Sequence, residues 1–130
     1  MHKVQVLIYR LQAQNTTVSR LSRSVDDAHA EVNQLKNERD KLAADIKQDE
    51  DFVSSNLNAS GDRKAVEDAL PGLKEKLASL DDQLQQAQKE ESTAQEQLRS
   101  QQAKLERLEA DFDRLEKSFE TSQAHAKDSQ

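Results

Sequence analysis

The side chains able to do chemistry are scattered along the chain. Histidine occurs at His2, His29 and His125, and carboxylates cluster at Asp26-Asp27, Asp49-Glu50-Asp51 and Asp81-Asp82. Zinc chemistry needs three or four such ligands converging on one point. Doubling the chain back would bring His2 and His125 to one end with Asp128 as a third ligand, but that ligand set falls in a terminal stretch read as unfolded. Neighbouring carboxylates on a helix diverge by about 100°, so the acid clusters read as solvated faces and not as cation cages. There is no cysteine for thiol catalysis or a thiolate metal site, no glycine-rich phosphate loop and no nucleophile motif. Asn15-Thr16-Thr17 and Asn58-Ala59-Ser60 match glycosylation acceptors only at chance level, because Val4 to Leu11 is too short and interrupted for a secretory signal. No catalytic residue, metal ligand or cofactor is expected, and the chain is read as a non-enzyme.

Composition narrows the class. Of 130 residues, 34% are hydrophobic, 3% aromatic and 34% charged, too few apolar groups for a thick core. The chain must bury narrow seams instead. A formal charge of −6 disfavours nucleic acid, whose binding rests on Lys and Arg neutralising phosphates. Charge is uneven: up to Val25 there are four bases and no acid, and the remainder carries 15 bases against 25 acids. Four bases spread that thinly fall short of a membrane-surface anchor, and no stretch approaches the roughly 18 apolar residues of a span. A cytoplasmic protein is the default expectation.

What must position everything else is a heptad pattern. From Val66 the apolar residues fall at Leu70, Leu73, Leu77, Leu80, Leu84, Ala87, Ala94, Leu98, Leu105, Leu108, Phe112, Leu115 and Phe119, a 3.5-residue period that only a helix packed along another helix requires. The first part repeats it. Val4, Leu11, Val18, Val25, Val32, Ile46 and Val53 occupy one seam row, and Leu7, Leu21, Ala28, Leu35 and Leu42 the other. Between them Ser54 to Asp62 is rich in residues that favour turns, with Asp62 placed to cap the next helix and Leu57 to cover the seam end.

The expected organisation is one domain over 1–130: a helix at 3–53, a loop at 54–62, a helix at 63–120 and a disordered tail at 121–130. Pro71 inside the second helix removes a helical hydrogen bond, so one helix with a kink at 71–72 is expected; the alternative is a separate short helix over Arg63 to Ala69, with Pro71 in the first turn of the next. Folding back at the loop pairs residues whose numbers sum to 119, and Ile46 with Leu73, Val32 with Ala87, Leu11 with Leu108 and Val4 with Leu115 are all apolar against apolar. The same register sets Arg10 near Asp111, Lys36 near Asp81 and Asp45 near Lys76, while Glu31 near Glu90 and Glu50 near Glu67 count against it; a one-heptad slip with a shorter loop is the alternative register. The fold class is thus all-α, a long antiparallel coiled-coil helical hairpin, expected to associate into a dimer or four-helix bundle. An extended parallel rod of two chains is the alternative.

Two groups of residues carry the functional expectation. Polar residues interrupt the seam at Arg39, Glu91, Gln14, Gln101 and Asp49, where they either specify register and partner or lay their stems along the seam with their heads in water. At the N-terminal end Val6, Ile8 and Tyr9 widen the stripe of Val4, Leu7 and Leu11 beyond what one helix covers, opposite Phe112 and Phe119. A stripe that broad marks an interface. The chain is therefore read as a structural and protein-interaction module, a scaffold or oligomerisation element whose partner is a second copy or another helical protein, with neither nucleic acid nor a membrane surface. A chaperone-like or adaptor hairpin that grips clients at its open end is the alternative. In outline the hairpin resembles the helical arms of prefoldin-type chaperones, seryl-tRNA synthetases and bacterial scaffold proteins, and that resemblance implies shape alone.

Overall fold

Residues 2 to 54 contain no glycine or proline, and they form one helix, α1, His2–Ser54. The second, α2, spans Ser60–Asp128. The computed structural model describes residues 2–55 and 60–128, and the side chains of all of these except 60 and 124–128. It is an all-α helical hairpin. Hydroxyl residues inside the helices are accommodated by folding back: Thr16 donates to the Gln12 carbonyl, Thr17 to Ala13 and Ser24 to Arg20, one turn earlier in each case.

The helix ends differ from expectation. α1 closes with the Ser55 N–H donating to the Phe52 carbonyl at 3.2 Å. α2 begins earlier than 63, so Asp62 lies inside its first turn and does not cap it; its charge still suits the positive end of the helix. The place proposed for Leu57 falls outside the described residues. Pro71 is inside α2, which runs unbroken through Pro71 and Gly72. No described residue has positive φ, so neither glycine is there for backbone geometry. The expected tail is also corrected: α2 continues past 120 to Asp128. Polarity alone does not stop a helix. No glycine or proline follows Gly72, and Thr121 satisfies its hydroxyl on the Lys117 carbonyl at 2.9 Å.

The hairpin divides into two compact units. The loop unit, Asp27–Ser92, holds the turn; the terminal unit comprises Met1–Asp26 and Thr93–Gln130. Both follow the heptad seam. Every apolar seam residue of α1 from Val4 to Val53 is buried or half-buried, as is every one of α2 from Val66 to Leu115.

In the loop unit Val32, Ile46, Leu70, Leu80 and Ala87 are buried, the last to 4% exposure. Val32 and Ala87 stand opposite each other in the expected register, where the small alanine lets the backbones approach. Leu80 stands opposite Arg39, whose aliphatic stem can cover it. Polar pairs run between the helices here, among them His29 with Glu91, Arg39 with Asp81 and Lys74 with Glu50. Low numbers meet high ones, so the helices are antiparallel. The residue numbers of these pairs sum to between 120 and 124, against the expected 119.

In the terminal unit no described residue is buried, and the seam is half-buried throughout. Its interhelix bond joins Gln14 to Gln101. Phe119 departs from the seam with 49% exposure. The expected register pairs it with no described residue of α1, and Val4 is the α1 residue that shares its groove.

Candidate functional site

The polar seam residues come first, because the structure gives most of them partners. Gln14 Nε2 donates to the Gln101 backbone carbonyl at 2.8 Å and to its side-chain Oε1 at 2.9 Å, using both amide hydrogens on one residue of the facing helix. Arg39 Nε donates to Asp81 Oδ1 at 2.8 Å and Nη1 to Asp40 Oδ1 at 3.3 Å. The hydrogen bond to Asp81, and then that to Asp40, raises the guanidinium pKa further, so Arg39 keeps its charge at any ordinary pH. His29 Nδ1 lies 3.2 Å from Glu91 Oε1. Asp49 is half-buried without a cross-helix partner among the described residues. These contacts tie specific turns of the two helices together.

The expected charge partners shift by a turn. Asp81 is taken by Arg39 and not by Lys36, which reaches no partner among the described residues. Asp111 pairs with Arg114 on its own helix at 2.6 Å, although Arg10 borders the same groove. Long flexible side chains settle on the nearest geometry, and exposed pairs of this kind contribute only about 0.2 to 1 kcal/mol each.

In the terminal unit the eight expected interaction residues separate into faces. Val4, Phe112 and Phe119 line a groove of about 370 Å³ together with Leu115, Glu116 and Glu120. Val6 and Leu7 line a second, of about 380 Å³, with His2, Lys3, Arg10, Asp111 and Leu115. Ile8 and Tyr9 border neither, and Tyr9 is 74% exposed; Leu11 is half-buried on the seam. Val4 and Leu115, paired in the expected register, do meet at the first groove.

Leu115 belongs to both grooves, a role that its place on the seam does not reveal. Glu116, Glu120, Lys3 and Arg10 were likewise outside the expected interaction set. Their signal was present: Glu116 and Glu120 are one turn apart, flanking Phe119, and Lys3 and Arg10 are one heptad apart beside Val6.

The side chain of His125 lies outside the described residues. Among the described residues no three His, Asp or Glu side chains are grouped to hold a metal ion, and no helix is long and apolar enough to cross a membrane. No family model, curated protein or solved structure matches the chain.

Proposed function

We propose that this chain is a non-enzymatic structural and protein-interaction module, a scaffold or oligomerisation element that associates through its terminal unit. One observation carries the reading. Among the described residues the large hydrophobic ones left exposed, Val6, Ile8, Tyr9 and Phe119, all belong to that unit, and none belongs to the loop unit. Exposed apolar groups concentrated in one region, beside two apolar grooves, are what interfaces look like before a partner covers them.

Charge supports the same division. The loop unit carries nine bases against sixteen acids, a formal −7, and the terminal unit ten against nine, a formal +1. Like surfaces of the loop unit repel one another, whereas terminal units can meet. Sedimentation velocity over a range of concentrations tests this. The chain should form larger species as concentration rises, and Val6→Asp with Phe119→Asp should remain helical by circular dichroism and run as a monomer. A wild-type monomer at every concentration that binds unfolded proteins would replace this reading with that of a client-gripping adaptor.

A further inference from the structure

We infer that the partner of each groove is the other groove of a second copy, so that copies join head to tail and not as a closed pair. This rests on the self-association just proposed and specifies its geometry.

The two grooves lie on opposite flanks of the terminal unit. Helical residues step by about 100°. Measured from Leu115 on α2, Phe119, Phe112 and Glu116 fall about 40°, 60° and 100° to one side, and Asp111 about 40° to the other. Measured from Leu7 on α1, Val4 falls about 60° to one side, and Lys3, Arg10 and Val6 about 40°, 60° and 100° to the other. Leu115, at the base between them, is reached from both flanks.

The rims are opposite in charge. Glu116 and Glu120 edge the first groove, one turn apart, where like charges destabilise a helix unless a cation comes between them. His2, Lys3 and Arg10 edge the second, and the one acid there, Asp111, is already held by Arg114. Among the described residues neither Glu116 and Glu120 nor Lys3 and Arg10 form an ion pair. Each rim therefore lacks the charge that the other presents, and each encloses apolar side chains, Val4, Phe112, Leu115 and Phe119 in the first and Val6, Leu7 and Leu115 in the second. A copy that seats its basic-rimmed groove on the acidic-rimmed groove of another leaves its own acidic groove open for a third. Such an interface is heterologous, and it propagates to a ring or a filament.

Charge reversal on the 130-residue chain tests the pairing. E116K/E120K has two basic rims and K3E/R10E two acidic ones. Wild type in low salt should form species larger than a dimer that grow with concentration and shrink in high salt. Either variant alone should associate roughly tenfold more weakly or worse, and an equimolar mixture should recover wild-type size with the two variants alternating, as energy transfer between differently labelled variants would report. Circular dichroism of each variant confirms that the helices persist. A dimer that neither grows with concentration nor responds to the reversals would overturn the head-to-tail pairing while leaving self-association standing. A monomer under all conditions, or association of the variants as strong as that of wild type without mixing, also overturns the pairing, and the former removes self-association with it.

Discussion

The loop unit and the terminal unit are cut from the same two helices and obey the same seven-residue pattern, yet they manage their apolar surface differently. Among the described residues, seam residues of the loop unit are buried and His29–Glu91, Arg39–Asp81 and Lys74–Glu50 clasp the helices across the seam; in the terminal unit the seam is half-wet, Val6, Ile8, Tyr9 and Phe119 stay exposed, and the Gln14 amide bridges the helices. The residues responsible are few. Val32, Leu80 and Ala87 are buried, with the small Ala87 set opposite Val32 and the Arg39 stem opposite Leu80 in the expected register, whereas Gln14 and Gln101 hold a polar pair in the seam where two leucines would have packed. A heptad repeat thus guarantees which residues face inward but not how dry they become. The terminal unit is the half that gains most from a further partner.

Stability measurements can break that contrast. Leu80→Ala, at a site 7% exposed, should lower unfolding free energy by about 2 to 4 kcal/mol, and Leu108→Ala, on the half-buried seam, by about 1 to 2 kcal/mol. Urea titrations followed by circular dichroism would show the two. Equal losses would mean that the units are packed alike.

Pro71 is a reserve within the loop unit. It sits in the interior of α2 without an N–H to donate, so Pro71→Ala should raise stability by roughly 1 to 3 kcal/mol in the same titration. That would widen the gap between the units. Nothing lies within 4 Å of a Cβ built on the neighbouring Gly72, so Gly72→Ala should add about 1 kcal/mol more without a clash.

The amide clasp sharpens the comparison from the other side. Gln14→Leu combined with Gln101→Leu replaces a hydrogen-bonded pair by apolar surface and should stabilise the chain by about 1 kcal/mol. Cysteines placed one heptad out of register should then cross-link more readily than in wild type, because the pair no longer marks its own turn. The surface ion pairs rank last. Lys74→Ala should cost a few tenths of a kcal/mol, and the difference from wild type should vanish in high salt.

Much of the fold is legible in the residues alone because its determinant is one-dimensional. Val4 through Val53 and Val66 through Leu115 announce an inward row by spacing, and a turn rich in Ser, Asn and Gly announces the reversal, so both helices and their antiparallel pairing follow. The register is legible only approximately: apolar pairs such as Val32 with Ala87 allow a slip of one heptad, and the residue numbers of the cross-helix polar pairs sum to between 115 and 124 around the expected 119. The ends were harder. Polar residues after Phe119 resemble a tail by composition, but no breaker stands among them, and α2 continues. The ion pairs were harder still: Arg39 reaches Asp81 and Arg114 takes Asp111 through side chains whose conformations differ by tenths of a kcal/mol, and no residue spacing encodes a choice that fine. The grooves needed three dimensions, because Leu115 has two flanks only when a second helix runs beside it.

No side chain among the described residues is sealed completely from solvent. Unfolding therefore wets comparatively little that was dry, and the accompanying rise in heat capacity should fall below the usual value of about 12 to 15 cal/mol/K per residue. A small increment flattens the dependence of stability on temperature, so warming should loosen this hairpin gradually over a wide interval, where a globule of equal length gives way sharply.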